Sequence, residues 1–190
     1  LPRLMMSKKV AFTAMEHATR CDYDLVFEHD AENIQGQADR VIEWLKSMGG
    51  DSPYKISRLD HCLQTATRAA RDGADEETVI CALLHDIGDV ICPANHSQAA
   101  AALLRPYVSE KNYWVVLHHG LFQGYYWMHH YDQNRLERDK LIDSPFYQAC
   151  VDFCADWDQK SFDPDYPTLA LEYFIPMIER VFARQPASFV

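Results

Sequence analysis

Glycine is scarce, with seven in 190 residues, and no stretch alternates polar and apolar residues for long enough to suggest a sheet. Basic runs are missing too. With 28 acidic residues against 18 basic ones, the net charge is −10 and the pI about 5.3. That balance argues against nucleic acid and against an anionic membrane surface as partners, because both require a basic face. No apolar run approaches the ~20 residues that span a bilayer. The lysines of LPRLMMSKKV are followed by no apolar core, which argues against a signal peptide. None of the six cysteines has CxxC spacing. Cys62, Cys81, Cys150 and Cys154 fall in apolar helix-like stretches, where a thiol packs as a small core residue, so a reduced, cytoplasmic protein is expected.

What is present is an ordinary globular composition, 48% hydrophobic and 24% charged. A chain of this length buries roughly 70% of its unfolded surface and needs neither disulfides nor a structural metal for its core. The apolar spacing is helical. It predicts helices over 37–48, ended by Gly49-Gly50, and over 57–72, ended by Gly73. Asp75 opens the next, which runs to Gly88; 95–105 is alanine-rich and stops at Pro106; Ser109 caps 110–119. Ser144-Pro145 opens 145–158, turn chemistry fills 160–167, and a last helix spans about 168–183 with a kink at Pro176. The expected architecture is all-α: an arm over 1–34, loosely structured or a short helix, and one compact helical bundle over 35–190.

The nine histidines are the unusual count. His85 and Asp86, in LLHDIGD, end a very apolar helix, where an unpaired charge is costly. Side by side they offer one nitrogen and one oxygen ligand, and the aspartate has a second oxygen for a second metal. His61 precedes them in LDHCLQTA; His96 follows in ANHSQAA, His118-His119 in VVLHHGLF and Asp158 in DWDQKSF. Each lies in or beside an apolar helix, so a bundle can converge them. Four imidazoles and two carboxylates suit Fe, Mn, Zn or Ni alike. His17, His29, His129 and His130 read as ordinary histidines, and Phe122, Tyr125, Tyr126, Trp127 and Met128 as core and pocket wall, with a cage for a cation as the alternative.

The order His…His-Asp…His…His…Asp resembles that of two-metal HD-domain proteins over roughly 54–160. The stretch HCLQTATRAARDGADEETVICALLHDIGD looks like the HD oxygenases, which include myo-inositol oxygenase and enzymes that cleave the carbon–phosphorus bond of aminoethylphosphonate-derived substrates. The resemblance implies an HD-domain bundle around a mixed-valent Fe2+/Fe3+ pair, with Mn or Zn as other occupants, acting with O2 on a small-molecule substrate. It implies that His61, His85, Asp86 and Asp158 hold one iron, that Asp86 bridges, and that His96 and His119 complete the second. His119 is preferred because it falls nine residues after Glu110, the spacing of the phosphonate-cleaving relatives. His118 is then a supporting neighbour or a core histidine.

Departures from the relatives bear on the substrate. Asp89 stands where they carry His or Lys, Gln123 where they carry Lys, and Ala155 where they carry Arg; Asp51 and Tyr54 occupy the positions of their tyrosine and glutamate. A phosphonate would lose most of its charge-assisted hydrogen bonds. The expected substrate is therefore small, hydroxylated and neutral or cationic, contacted by Asp89, Gln123 and Tyr54. The alternatives are a dinuclear metal-dependent phosphohydrolase, for which 86–95 and 155–160 offer few basic residues (Lys160 and Arg105 being the nearest), and a non-enzymatic HD module that senses a ligand.

Overall fold

The computed structural model describes residues 9–187. Among these there are eight α-helices and no strand, in agreement with the all-α reading. They are α1 (Arg20–Gln35), α2 (Gln37–Ser47), α3 (Arg58–Arg71), α4 (Glu76–Leu84), α5 (His96–Leu104), α6 (Glu110–Trp127), α7 (Tyr147–Asp152) and α8 (Leu171–Phe182). Part of the N-terminal segment forms α1, a helix of 16 residues opened by a Thr19–Asp22 capping box and burying none of its residues.

Local chemistry sets where the helices begin. Ser57 accepts from the Asp60 amide at 3.0 Å while the Asp60 carboxylate takes the Ser57 amide at 3.1 Å, a reciprocal cap that starts α3 four residues before His61. Asp75 caps α4 through the Thr78 amide and Ser109 caps α6 through the Asn112 amide. Ser144 does not cap in this way: α7 starts at Tyr147 without a side-chain cap.

The core lies between α2, α4, α6 and α8, where Val41, Leu45, Ile80, Leu83, Leu84, Phe122, Phe174 and Ile178 are fully or almost fully buried. α3 lies along α4 and α5 along α6, so the metal-ligand types on these helices meet on one side of that core. The six cysteines are free, and the four expected to pack are buried.

Three boundaries differ from the sequence expectation, and all three lie at the site. α4 ends at Leu84, and Ile87–Val90 form a 3-10 turn. Gly88 is required there, because a Cβ on it would lie 2.7 Å from the His96 carbonyl carbon. α6 continues to Trp127 instead of stopping near 119. Gly120 does not break it but makes room for α5: a Cβ there would meet Ser97 Oγ at 2.8 Å. The helix expected over 145–158 is interrupted, α7 giving way to a π turn at Phe153–Trp157 and a 3-10 turn at Asp158–Lys160. Widening of this kind is frequent at functional sites because it re-aims one side chain.

Candidate metal centre

Five segments deliver six side chains to one place. His61 comes from the first turn of α3, His85 and Asp86 from just beyond α4, His96 from the start of α5, His119 from the middle of α6 and Asp158 from the 3-10 turn that follows the π turn. The segment carrying Asp158 is fastened to α3 from outside: Trp157 Nε1 donates to Asp72 at 2.7 Å, Arg68 Nη2 to the Lys160 carbonyl at 3.0 Å, and Gln64 Nε2 to the Asp163 carbonyl at 2.7 Å.

Backbone carbonyls set the tautomers. Nδ1 of His61 lies 2.9 Å from the Ser161 carbonyl, that of His85 2.7 Å from Ala82 and that of His119 2.7 Å from Val116. A carbonyl only accepts, so each Nδ1 carries a proton and donates it, which leaves Nε2 with the bare lone pair whenever the ring is neutral. Those lone pairs converge. His61 Nε2 is 3.1 Å from His85 Nε2, 3.2 Å from Asp158 Oδ1 and 3.6 Å from Asp86 Oδ2. His119 Nε2 and His96 Nε2 stand 3.1 and 3.3 Å from the other oxygen, Asp86 Oδ1. Asp86 thus turns one oxygen to His61 and the other to His96 and His119.

The donor set fits a cation. All the converging atoms are electron-pair donors, His61, His85, Asp86, His119 and Asp158 are buried, and Asp158 Oδ2 is buried without a hydrogen-bond partner among the described residues. Such an arrangement is repulsive unless protons or metal ions lie between the groups. Burial disfavours the charged imidazole of His61, but Asp158 and Asp86 outweigh it and raise its pKa; His85 behaves alike. Burial also opposes ionisation of Asp86 and Asp158, and the surrounding imidazoles outweigh it, holding both carboxyls below the ordinary carboxylate range. Three combinations of these residues bring three ligand atoms each within 4.8 Å of one another: His61–His85–Asp86, His85–His119–Asp158 and Asp86–His96–His119. The cluster can hold a metal.

His118 takes no part in this convergence. Its ring lies 4.3 Å from that of Trp114, burial lowers its pKa, and it makes no hydrogen bond to the cluster among the described residues. The other histidines set aside in the sequence are exposed, His29 against Asn33 and His129 against His130.

A cavity of about 480 Å3 opens over the shared carboxylate, with Tyr54, Arg58, His96, Gln123, Trp127 and Phe162 in its wall. Of the expected substrate contacts, Gln123 lines it with Oε1 buried and without a hydrogen-bond partner. Tyr54 reaches the rim, its ring 4.8 Å from Phe162, which in turn stacks at 4.4 Å on His61. Asp89 is placed differently. It forms an ion pair with Arg58 and stands 3.7 Å from His96 Nδ1, behind the wall instead of in it. Tyr125 is not free to cage a cation, since Arg135 and Arg138 of this chain lie 3.7 and 4.0 Å from its ring centre.

Arg58 is the residue that sequence reasoning missed. The basic contacts were sought near the later ligands, yet Arg58 sits three residues before His61, one helical turn away on the same face of α3, a spacing visible in the sequence. Phe162 left no comparable signal, because its partner His61 is about a hundred residues away in the chain.

Residues 58–144 match the family model described as HD domain. The match contains five of the six clustered residues, Asp158 lying beyond it, and supports placing this segment in the HD superfamily, whose members are mostly metal-dependent enzymes. No curated protein matches the chain.

Proposed function

We propose that the chain is an HD-type di-iron oxygenase that cleaves a C–C or C–heteroatom bond of a small hydroxylated substrate. The observation that carries the dinuclear reading is Asp86, whose Oδ1 faces His96 and His119 while Oδ2 faces His61 and His85. The resemblance of residues 61–89 to the HD oxygenases supports oxygen chemistry over hydrolysis.

His61, His85 and Asp158 would hold one iron, His96 and His119 the other, with Asp86 between. Such a pair supplies one-electron chemistry with dioxygen that side chains lack. The chain's own part is binding and exclusion. His96 is the most exposed of the ligand types, 30% for its side chain, so its group meets the cavity. Gln123 Oε1, an unpaired acceptor, would accept a hydrogen bond from a substrate hydroxyl and fix its orientation. Phe162 and Trp127 wall the cavity with apolar surface and limit water.

A second reading, a dinuclear metal-dependent phosphohydrolase, is favoured by Arg58, a guanidinium in the cavity wall. Anaerobic purification, metal analysis and EPR before and after oxygen separate the two. Two irons per chain with a mixed-valent signal and oxygen uptake support the oxygenase; Mn or Zn occupancy with oxygen-independent phosphate release supports the hydrolase.

A further inference from the structure

We propose that Arg58 is the specificity-determining residue of the cavity and binds an anionic oxygen group, carboxylate or phosphate in type, on the substrate. The inference rests on the dinuclear-metal reading above, not on the choice between oxygenase and hydrolase.

Arg58 is the one lysine or arginine among the described residues that line the cavity. The other basic groups near it are engaged elsewhere: Lys160 with Asp156 at 3.4 Å, and Arg68 over the Tyr166 ring at 3.8 Å. Both of Arg58's own ion pairs fall on a single atom, Nη1, which faces Asp89 and lies 3.7 Å from Asp86 Oδ2. Nε and Nη2 carry no hydrogen bond among the described residues, and the side chain is 41% exposed. A guanidinium of the cavity wall that is held by carboxylates at one nitrogen, and whose other nitrogens carry no hydrogen bond among the described residues, is suited to bidentate capture of an oxyanion. The Tyr54 ring, 5.9 Å from the guanidinium carbon, flanks it at the rim.

Charge points the same way. Counted formally, the carboxylates of Asp86, Asp89 and Asp158 against the Arg58 guanidinium sum to two negative charges, with the imidazoles neutral as metal binding requires. Two divalent ions would reverse this to two positive charges, and a substrate anion would then offset charge that the protein leaves uncompensated. Without metal the carboxylates would repel an anion. The replaced positions 89, 123 and 155 point to a neutral or cationic substrate only while Arg58 is left out of the cavity's charge.

The test uses inorganic phosphate as the probe and the metal-loaded chain as the receptor, by isothermal titration, with metal content measured on every sample. Arg58→Gln should keep two metals per chain and weaken phosphate binding at least tenfold, while Arg58→Lys, which restores the charge but not the fork, should recover part of the loss. Wild-type-like phosphate affinity in Arg58→Gln with two metals bound would overturn the role of Arg58 and leave the dinuclear reading standing. A wild-type chain that takes up fewer than two metals would overturn both.

Discussion

The Nε2 atoms of His61 and His85 face each other across 3.1 Å, and neither ring can turn away, because each Nδ1 is tied to a backbone carbonyl. With both rings neutral, two lone pairs meet in a buried setting beside two carboxylates. A cation that accepts all of them would relieve the arrangement and so couple the fold to metal binding.

Chelation should therefore lower the melting temperature, and readdition of a divalent ion should restore it. At a hundredfold excess over Kd, one site contributes about 2.7 kcal/mol. Differential scanning calorimetry on stripped and reloaded protein checks this, and an unchanged Tm would count against the coupling. His85→Ala should lose both the metal and its stabilising effect.

Asp86 and His96 should separate in a metal count. Asp86 serves both ligand groups, so Asp86→Ala should leave the chain essentially without metal, whereas His96→Ala should keep an ion at His61, His85 and Asp158. Loss of a single ion in both variants, read by elemental analysis, would contradict the sharing of Asp86.

Gly88→Ala should be severe although no glycine-only backbone angle is involved. The added Cβ would overlap the backbone of His96 at the start of α5, and backbone cannot swing aside as a side-chain tip can. A loss of about 3 kcal/mol is expected, together with weakened binding of the His96 metal. Urea unfolding and metal titration test the two effects separately.

Glu77 governs an acid-sensitive contact remote from the metals. Burial raises the pKa of its carboxyl, but hydrogen bonds from Ser109, Arg184 and Asn112 outweigh this and hold it at about 2, below the ordinary 4.5. The folded state thus binds the proton less readily than the unfolded chain. The stabilisation is fully present above about pH 4.5 and is lost as pH falls toward 2. Glu77→Gln should cost about 2 kcal/mol at neutral pH, and its deficit against wild type should shrink on acidification. A deficit independent of pH would show that ionised Glu77 is not the stabilising form.

Much of the site was legible before any coordinate. LLHDIGD, the histidines around it and Asp158 are all visible in the chain, and Asp75 and Ser109 begin their helices where the sequence places them. Boundaries were less legible where a second segment intrudes. The helix expected over 110–119 runs on because Gly120 packs against Ser97, and the turns around Asp158 are held by distant partners, Trp157 by Asp72 and Lys160 by Arg68.

By itself the sequence determined an all-helical chain with metal-ligand chemistry in a definite order, since apolar periodicity, capping and residue type are local properties. The tertiary structure alone decided direction. Successive residues on a helix point about 100° apart, so the phase of α6 against its neighbours turned His119 to Asp86 and left His118 beside Trp114 of its own helix, away from the cluster. The same kind of phase put Arg58 in the cavity wall and Asp89 behind it. A spacing within one helix carries no record of how that helix is rotated against another, and that rotation is settled by packing of the shared core.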